Sequence, residues 1–415
     1  MKISEGSSTG ISTAISPIIR TKLRSSFVGY ISSNLSKQIS YPYPIRMDIG
    51  TPEEPPPKVV IDKLKEAQDK SGFHTYSYNK GESFFLDAIA QYIKERFGVN
   101  IDPNKEVTGT PGGANAAMFF LLREIVDNGI VMLPSPGYPF YFSSAGLGEK
   151  EICEIPLTPK NKFKPDLKQV LEEYRKRTGS ISNLKAVILN YPQNPTGAVS
   201  DLDYYRNVVK FAKEQGSLII NDNSFAEIYS PRYTPPQSIL QVDGAKDIAI
   251  ELYSLSKTLR MTGDRVAFAV GNEEVIDLLQ HLNLYINIGN IPKAIQYAAA
   301  VGLTDNSVRR FIDHNNLEYM ERKDLLSAGL EDLGWNDSRN DISRATFFVW
   351  NKLPEIDKRS LDFGNELYER AGILTIPGSF FGSTGETFLR MSVLESKDKI
   401  AEAIDRLRKS GFIYH

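Results

Sequence analysis

A single cysteine, Cys153, leaves no partner for an internal disulfide, and with only four histidines a structural zinc site is not expected. That usage fits a reducing cytoplasm. Long apolar runs are missing: nothing approaches the roughly 18 residues that a membrane-spanning helix needs. The N-terminus also lacks the apolar core of a secretion signal. No sign of charge dominates, since 49 Lys+Arg against 51 Asp+Glu give a formal net charge of −2. Nucleic acid and anionic membrane surfaces are therefore not expected partners. Internal repeats are absent. Residues 6–47 lack acidic side chains and carry Ser, Lys and Arg, which loosely suits a transit peptide, although Glu5 stands in front of them. The plainer expectation is an arm lying on the body or on a partner subunit. Within it Ser16 reads as an N-cap and Pro17 as the first residue of a helix ending near Val28.

What the 415 residues do contain is enough for two domains. Pro55, Pro56 and Pro57 form a stiff break before the first long helix. Helical periodicity then runs through 59–70, 83–97, 114–126, 166–177 and 202–215. Between and after these lie short apolar runs at 130–133, 152–155, 186–189, 218–220, 248–252 and 266–270. Such runs suit strands buried on both faces of a mostly parallel sheet. Alternation of the two predicts a doubly wound α/β domain. A helix over 307–333 leads to strands near 346–350, 373–376 and 388–393 and helices near 361–371 and 396–409, a smaller α+β pattern. The expected division is an arm and part of the small domain over 1–58, a large domain over 59–305, and a small C-terminal domain over 306–415.

In open α/β sheets ligands sit beyond the carboxyl ends of the strands, and several unusual strings fall there. The apolar run 248–252 leads into SLSKTLRMTGDR, residues 254–265, with Lys257 between hydroxyl residues and Arg265 eight positions on. A lysine near a cation and partly desolvated loses its proton readily and becomes a nucleophile, and arginine offers phosphate a fork of donors. After 186–189 comes Tyr191-Pro192-Gln193-Asn194-Pro195-Thr196-Gly197. After 218–220 comes Asn221-Asp222-Asn223-Ser224-Phe225. Thr110-Pro111-Gly112-Gly113-Ala114-Asn115 opens a helix, where backbone N–H groups can close on an anion. Pro136-Gly137-Tyr138-Pro139-Phe140-Tyr141 is an aromatic cluster.

Together these strings resemble class I/II, fold-type I aminotransferases over nearly the whole chain, most of all members like the LL-diaminopimelate and aspartate/alanine aminotransferases. The resemblance implies pyridoxal 5′-phosphate as cofactor and a large, mostly parallel, doubly wound sheet domain with a smaller α+β domain. It implies that Lys257 carries the cofactor covalently and later moves a proton. Asp222 would pair with the pyridine nitrogen, Asn194 with the phenolic oxygen, and Tyr138 would stack on the ring. Ser254, Arg265, Gly113, Ala114 and Asn115 would hold the phosphate. Tyr76, five residues before Gly81, would reach the phosphate of a neighbouring subunit, which implies a homodimer with shared sites. Arg390 in Leu389-Arg390-Met391-Ser392, Gly50 in Ile49-Gly50-Thr51-Pro52, and Asn194 would take the substrate carboxylate. No metal is implied. The partners are an amino acid and a 2-oxo acid.

The chain departs from the pattern at Phe225, where relatives usually carry a tyrosine that donates to the cofactor's phenolic oxygen; Tyr229 is a candidate substitute. It departs again at 264–267 and at 287–291. These departures keep a second expectation open beside amino transfer, namely elimination, cyclisation or oxidation of an amino acid on the same scaffold. A regulator that binds the cofactor without turnover would usually bring a DNA-binding module, and no basic helix-turn-helix signal precedes Gly50.

Overall fold

The structure, a computed structural model, describes residues 27–335, 343–355 and 357–414. The helix expected from Ser16 therefore lies almost wholly outside the described residues. The described chain begins in a helix, Phe27–Leu35.

Seven strands build the large sheet: β1 (Val107–Gly109), β2 (Ile130–Ser135), β3 (Glu151–Pro156), β4 (Leu184–Asn190), β5 (Leu218–Asp222), β6 (Ala249–Ser254) and β7 (Ala267–Gly271). Their order is β1-β7-β6-β5-β4-β2-β3, with β7 antiparallel to both neighbours and the other pairings parallel. The expected α/β class and mostly parallel sheet are what the chain forms. In β4, Ala186 and Ile188 join one hydrophobic cluster with Leu133 and Leu252, while Val187 and Leu189 join a second on the other face. Full burial is worth roughly 1.5–3 kcal/mol for each large apolar side chain. That exceeds the ~1 kcal/mol span of strand propensity. Two covered faces, rather than propensity, thus hold these strands.

The helices between strands follow local signals. Asp201 caps helix Leu202–Gln215 by accepting from Tyr204 N, and Gly216 ends it at φ +61. The helix expected over 114–126 stops at Phe120 and continues as a π turn, Leu121–Ile125, closed by Val126 N to Leu121 O at 2.8 Å. Three helices were not expected. Pro139–Leu147 is apolar and small all round, without a helical stripe. Glu273–Asn287 starts where Asn272 accepts from Val275 N, and Lys293–Thr304 is Ala-rich and packs against helices Lys58–Gln68 and Ser83–Phe97.

The helix Asn306–Asp332 spans both bodies: Val308 and Ile312 belong to the large core, Leu326 and Leu330 to the small one. The small core also holds Trp335, Phe347, Phe363, Leu367 and Met391. Its antiparallel sheet orders Ile376–Pro377, Phe388–Ser392 and Phe348–Lys352. The single strand expected over 373–376 is instead two. Ile373–Leu374 pairs in parallel with Ile45–Arg46, and after Thr375 the chain enters the other sheet. Ile45 and Met47 are fully buried in the small core, so the segment before Gly50 packs there. The strand expected from 346 begins at Phe348, because Thr346 sits at φ +61 and donates its N–H to Ile228 O.

Candidate active site

Strands β4, β5 and β6 end side by side, and their last residues are polar. Register sets Asn190 opposite Asp222, and Asp222 opposite Leu252. From the small sheet, Arg390 lies on Phe388–Ser392 and turns toward the same place. Between them is a cavity of about 410 Å³ lined by Gly50, Ala114, Asn115, Tyr138, Asn194, Asp222, Ser254, Lys257, Arg265 and Arg390. Of the residues expected in the site, all but two line it. Gly113 stands one residue before Ala114, and Tyr76 is 79% exposed on the surface.

Lys257 lies in the short turn Leu255–Thr258 that follows β6, with Ser254 as its cap accepting from Ser256 N at 3.3 Å. Its amine donates to the Gly50 carbonyl oxygen. Burial first, then Arg390 and Arg265, pull its pKa down to about 8. Asp222 accepts from Tyr141 Oη at 2.6 Å through Oδ2, and from Ser224 N and Oγ at 3.0 and 2.5 Å through Oδ1. Burial raises its pKa, and the donors from Ser224 and Tyr141 oppose that rise. Asn190 ties the strand ends together: its amide donates to Asp222 O at 2.8 Å and its Oδ1 accepts from Asn194 N at 2.9 Å.

At the anion corner, Gly112 and Gly113 take φ of +81 and +85. A Cβ on Gly113 would lie 2.9 Å from Arg265 Nη2, so only glycine lets the guanidinium pack there. Arg265 donates to Thr262 O at 2.9 Å and Gly112 O at 2.8 Å. Asn115 donates to the Tyr138 hydroxyl at 3.2 Å.

Arg390 is buried and lies 4.1 Å over the Phe348 ring. Nη2 donates to Asp48 O at 2.8 Å and Nη1 to Asn194 Oδ1 at 3.2 Å, while Nε has no partner among the described residues. Burial lowers its pKa to about 10 against the opposing pull of Tyr138 and Asp48.

This donor set fits pyridoxal 5′-phosphate. A buried carboxylate raised by desolvation suits a cationic ring N–H. A glycine pair beneath a guanidinium suits a phosphate, and a second guanidinium on the cavity wall suits a carboxylate.

Tyr141, Ser224 and Asn190 escaped the sequence reading as site residues. Tyr141 and Ser224 lie within strings already singled out, at the end of the aromatic cluster and two residues after Asp222, but nothing local aimed them at the carboxylate. Tyr229 corrects an expectation. Arg309 Nη2 donates to its hydroxyl at 2.7 Å, and it lines a separate cavity beside Lys323 and Asp324, so it is not a substitute for the missing phenol. Phe225 meets Phe347 and Phe348 edge-on, with centroids 5.5 and 5.7 Å away.

Comparison with known proteins shows the family. The family model for aminotransferase class I and II matches residues 44–407. The LL-diaminopimelate aminotransferase of Halothermothrix orenii is 34% identical over 368 residues, which span 88% of this chain and 90% of that protein. Transaminase BacF of Bacillus subtilis is 33% identical over 372 residues, 88% of each chain. A solved structure of substrate-bound BacF superposes with a TM-score of 0.85 at 31% identity, covering 95% of this chain and 97% of that one.

Proposed function

The chain belongs to the class I and II aminotransferase family, and on that premise we propose how its own side chains divide the work. It is a fold-type I, pyridoxal-5′-phosphate-dependent aminotransferase that moves an amino group between an amino acid and a 2-oxo acid. When bound, the cofactor supplies an aldehyde carbon for the amine and a ring that draws electrons from the substrate Cα.

Lys257 Nζ would be the attachment point for the cofactor, and as a free amine on the cavity wall it would take and hand on the proton at the substrate Cα. A pKa near 8 brings the unprotonated amine within reach of neutral pH. Asp222, held in place by Tyr141 and Ser224, would pair with the ring nitrogen and keep it protonated. Asn194 would serve the phenolic oxygen and Tyr138 would cover the ring. Ser254, Arg265 and the backbone at Gly113, Ala114 and Asn115 would take the phosphate. Arg390, with Gly50 and Asn194 beside it on the cavity wall, would take the substrate carboxylate.

The observation that carries this division is the meeting of the lowered Lys257 amine, the buried Asp222 carboxylate and the buried Arg390 guanidinium on one cavity. The test is Arg390→Ala. Removing one partner of a desolvated charge pair costs about 2–5 kcal/mol, so the donor KM should rise at least about tenfold while cofactor affinity holds. Cofactor loss with unchanged donor KM would make Arg390 structural.

The same reading includes a homodimer with shared sites. Tyr76, Tyr78, Tyr285 and Ile288 are 79%, 68%, 79% and 61% exposed. The loop with Tyr76 and Tyr78 is joined to the chain just after helix Glu273–Asn287, which carries Tyr285 and is capped by Ile288, by Asn290 N to Ser77 Oγ at 2.8 Å. Such an apolar patch suits a second copy, and Tyr76 of the partner subunit would then complete the phosphate corner. We assign the enzyme to the cytoplasm, where the buried thiol of Cys153 would stay reduced; cell fractionation checks this.

A further inference from the structure

We infer that the amino donor carries an apolar or aromatic side chain, and that the Arg46–Asp48 pair turns acidic side chains away. The inference rests on the placement of the substrate carboxylate at Arg390. Among the lining residues given no role above, Phe27, Ile31, Arg46, Asp48, Ile49 and Phe348 bear on the side-chain end of the substrate; Thr51, Phe225, Ser256 and Thr262 complete the wall.

Four of these, Phe27, Ile31, Ile49 and Phe348, are apolar, as is Phe225. Phe27 and Ile31 stand four residues apart on the helix Phe27–Leu35, on one face, and both line the cavity. Phe348 lies directly under the Arg390 guanidinium, so a carboxylate gripped there brings the rest of its molecule beside this ring. An apolar substituent meeting Phe27, Ile31, Ile49 and Phe348 leaves no polar group unpaired, as apolar specificity pockets require.

Arg46 and Asp48 form the only ion pair between lining residues among the described residues of this chain. Arg46 donates through Nε and Nη2 to the two carboxylate oxygens of Asp48, at 2.7 and 2.8 Å. Asp48 is buried, with 4% of its surface exposed. Arg46 is thus already spent. A substrate carboxylate that drew it away would strand a buried anion, which is strongly unfavourable. One that did not would face Asp48 with like charge. Lys257, Arg265 and Arg390, the other cations lining the cavity, hold other roles in the reading above.

Binding of two non-reacting acids to the holoenzyme tests this, measured by titration calorimetry. 3-Phenylpropanoate should bind at least about tenfold tighter than glutarate. In Asp48→Asn, which keeps the backbone carbonyl that Arg390 uses, Arg46 is released and the ratio should fall at least about tenfold toward glutarate. The kcat/KM ratio of phenylalanine to glutamate should move the same way in both proteins. Glutarate binding as tightly as 3-phenylpropanoate in the wild type overturns the inference, as does a ratio that Asp48→Asn leaves unmoved. Failure of both acids to bind the wild type would instead overturn the Arg390 assignment, and this inference with it.

Discussion

The Tyr141 hydroxyl donates to Asp222 Oδ2 at 2.6 Å, with both side chains buried. It is one of the donors that oppose the rise burial gives the Asp222 pKa. A hydrogen bond to a charged group is worth about 1.5–3 kcal/mol. Tyr141→Phe should therefore slow donor turnover by roughly tenfold to a hundredfold. It should also shift the acid limb of the rate profile to higher pH, since Asp222 would protonate more easily. A slower enzyme with an unmoved acid limb would make Tyr141 a packing residue only.

Lys257 gives a stability prediction for the cofactor-free protein. Its folded pKa, about 8, lies below the ordinary lysine value of 10.5. The unfolded chain therefore binds the extra proton between those values, and stability attributable to this group rises with pH across that window. Below pH 8 the buried charge is a full cost, on the order of 3 kcal/mol. Lys257→Met should be the more stable protein at pH 7, and its advantage should shrink as pH climbs from 8 toward 10.5. Denaturant titrations of both proteins across that range decide; a constant gap would show that Lys257 is solvated.

The dimer reading predicts complementation. Tyr76→Ala and Lys257→Ala subunits should each be nearly inactive alone. Mixed, they should regain activity, because one hybrid site pairs an intact Lys257 with Tyr76 of the partner subunit. No recovery after proven subunit exchange would mean that the sites are not shared.

The parts of the site that were legible in the sequence are those whose chemistry is local. Residues 254–265 carry a lysine, a hydroxyl and an arginine within one loop, and the cavity brings all three together. Tyr141 meets Asp222 across 81 positions, so no string could show it. The strand ends teach a related lesson. The apolar pattern stops at Leu189, Ile220 and Leu252, yet the strands run on to Asn190, Asp222 and Ser254. Those extra residues are polar because they face the cavity, so the pattern fails where function begins. Thr375 failed differently: one apolar run feeds two sheets, a choice made by Ile45–Arg46 from the far end of the chain. Tyr229 looked like a replacement phenol by composition, and only its bond to Arg309 removes it.

The central claim is that Lys257 is the lysine to which the cofactor is joined, and the most direct measurement is chemical. Borohydride reduction of the holoenzyme followed by peptide mapping fixes the pyridoxyl group wherever it is attached. The account predicts the label on Lys257, in the peptide after β6, and no stable label in Lys257→Ala. A label on Lys323, the other buried lysine whose pKa falls to about 8, or on Lys293 would contradict it.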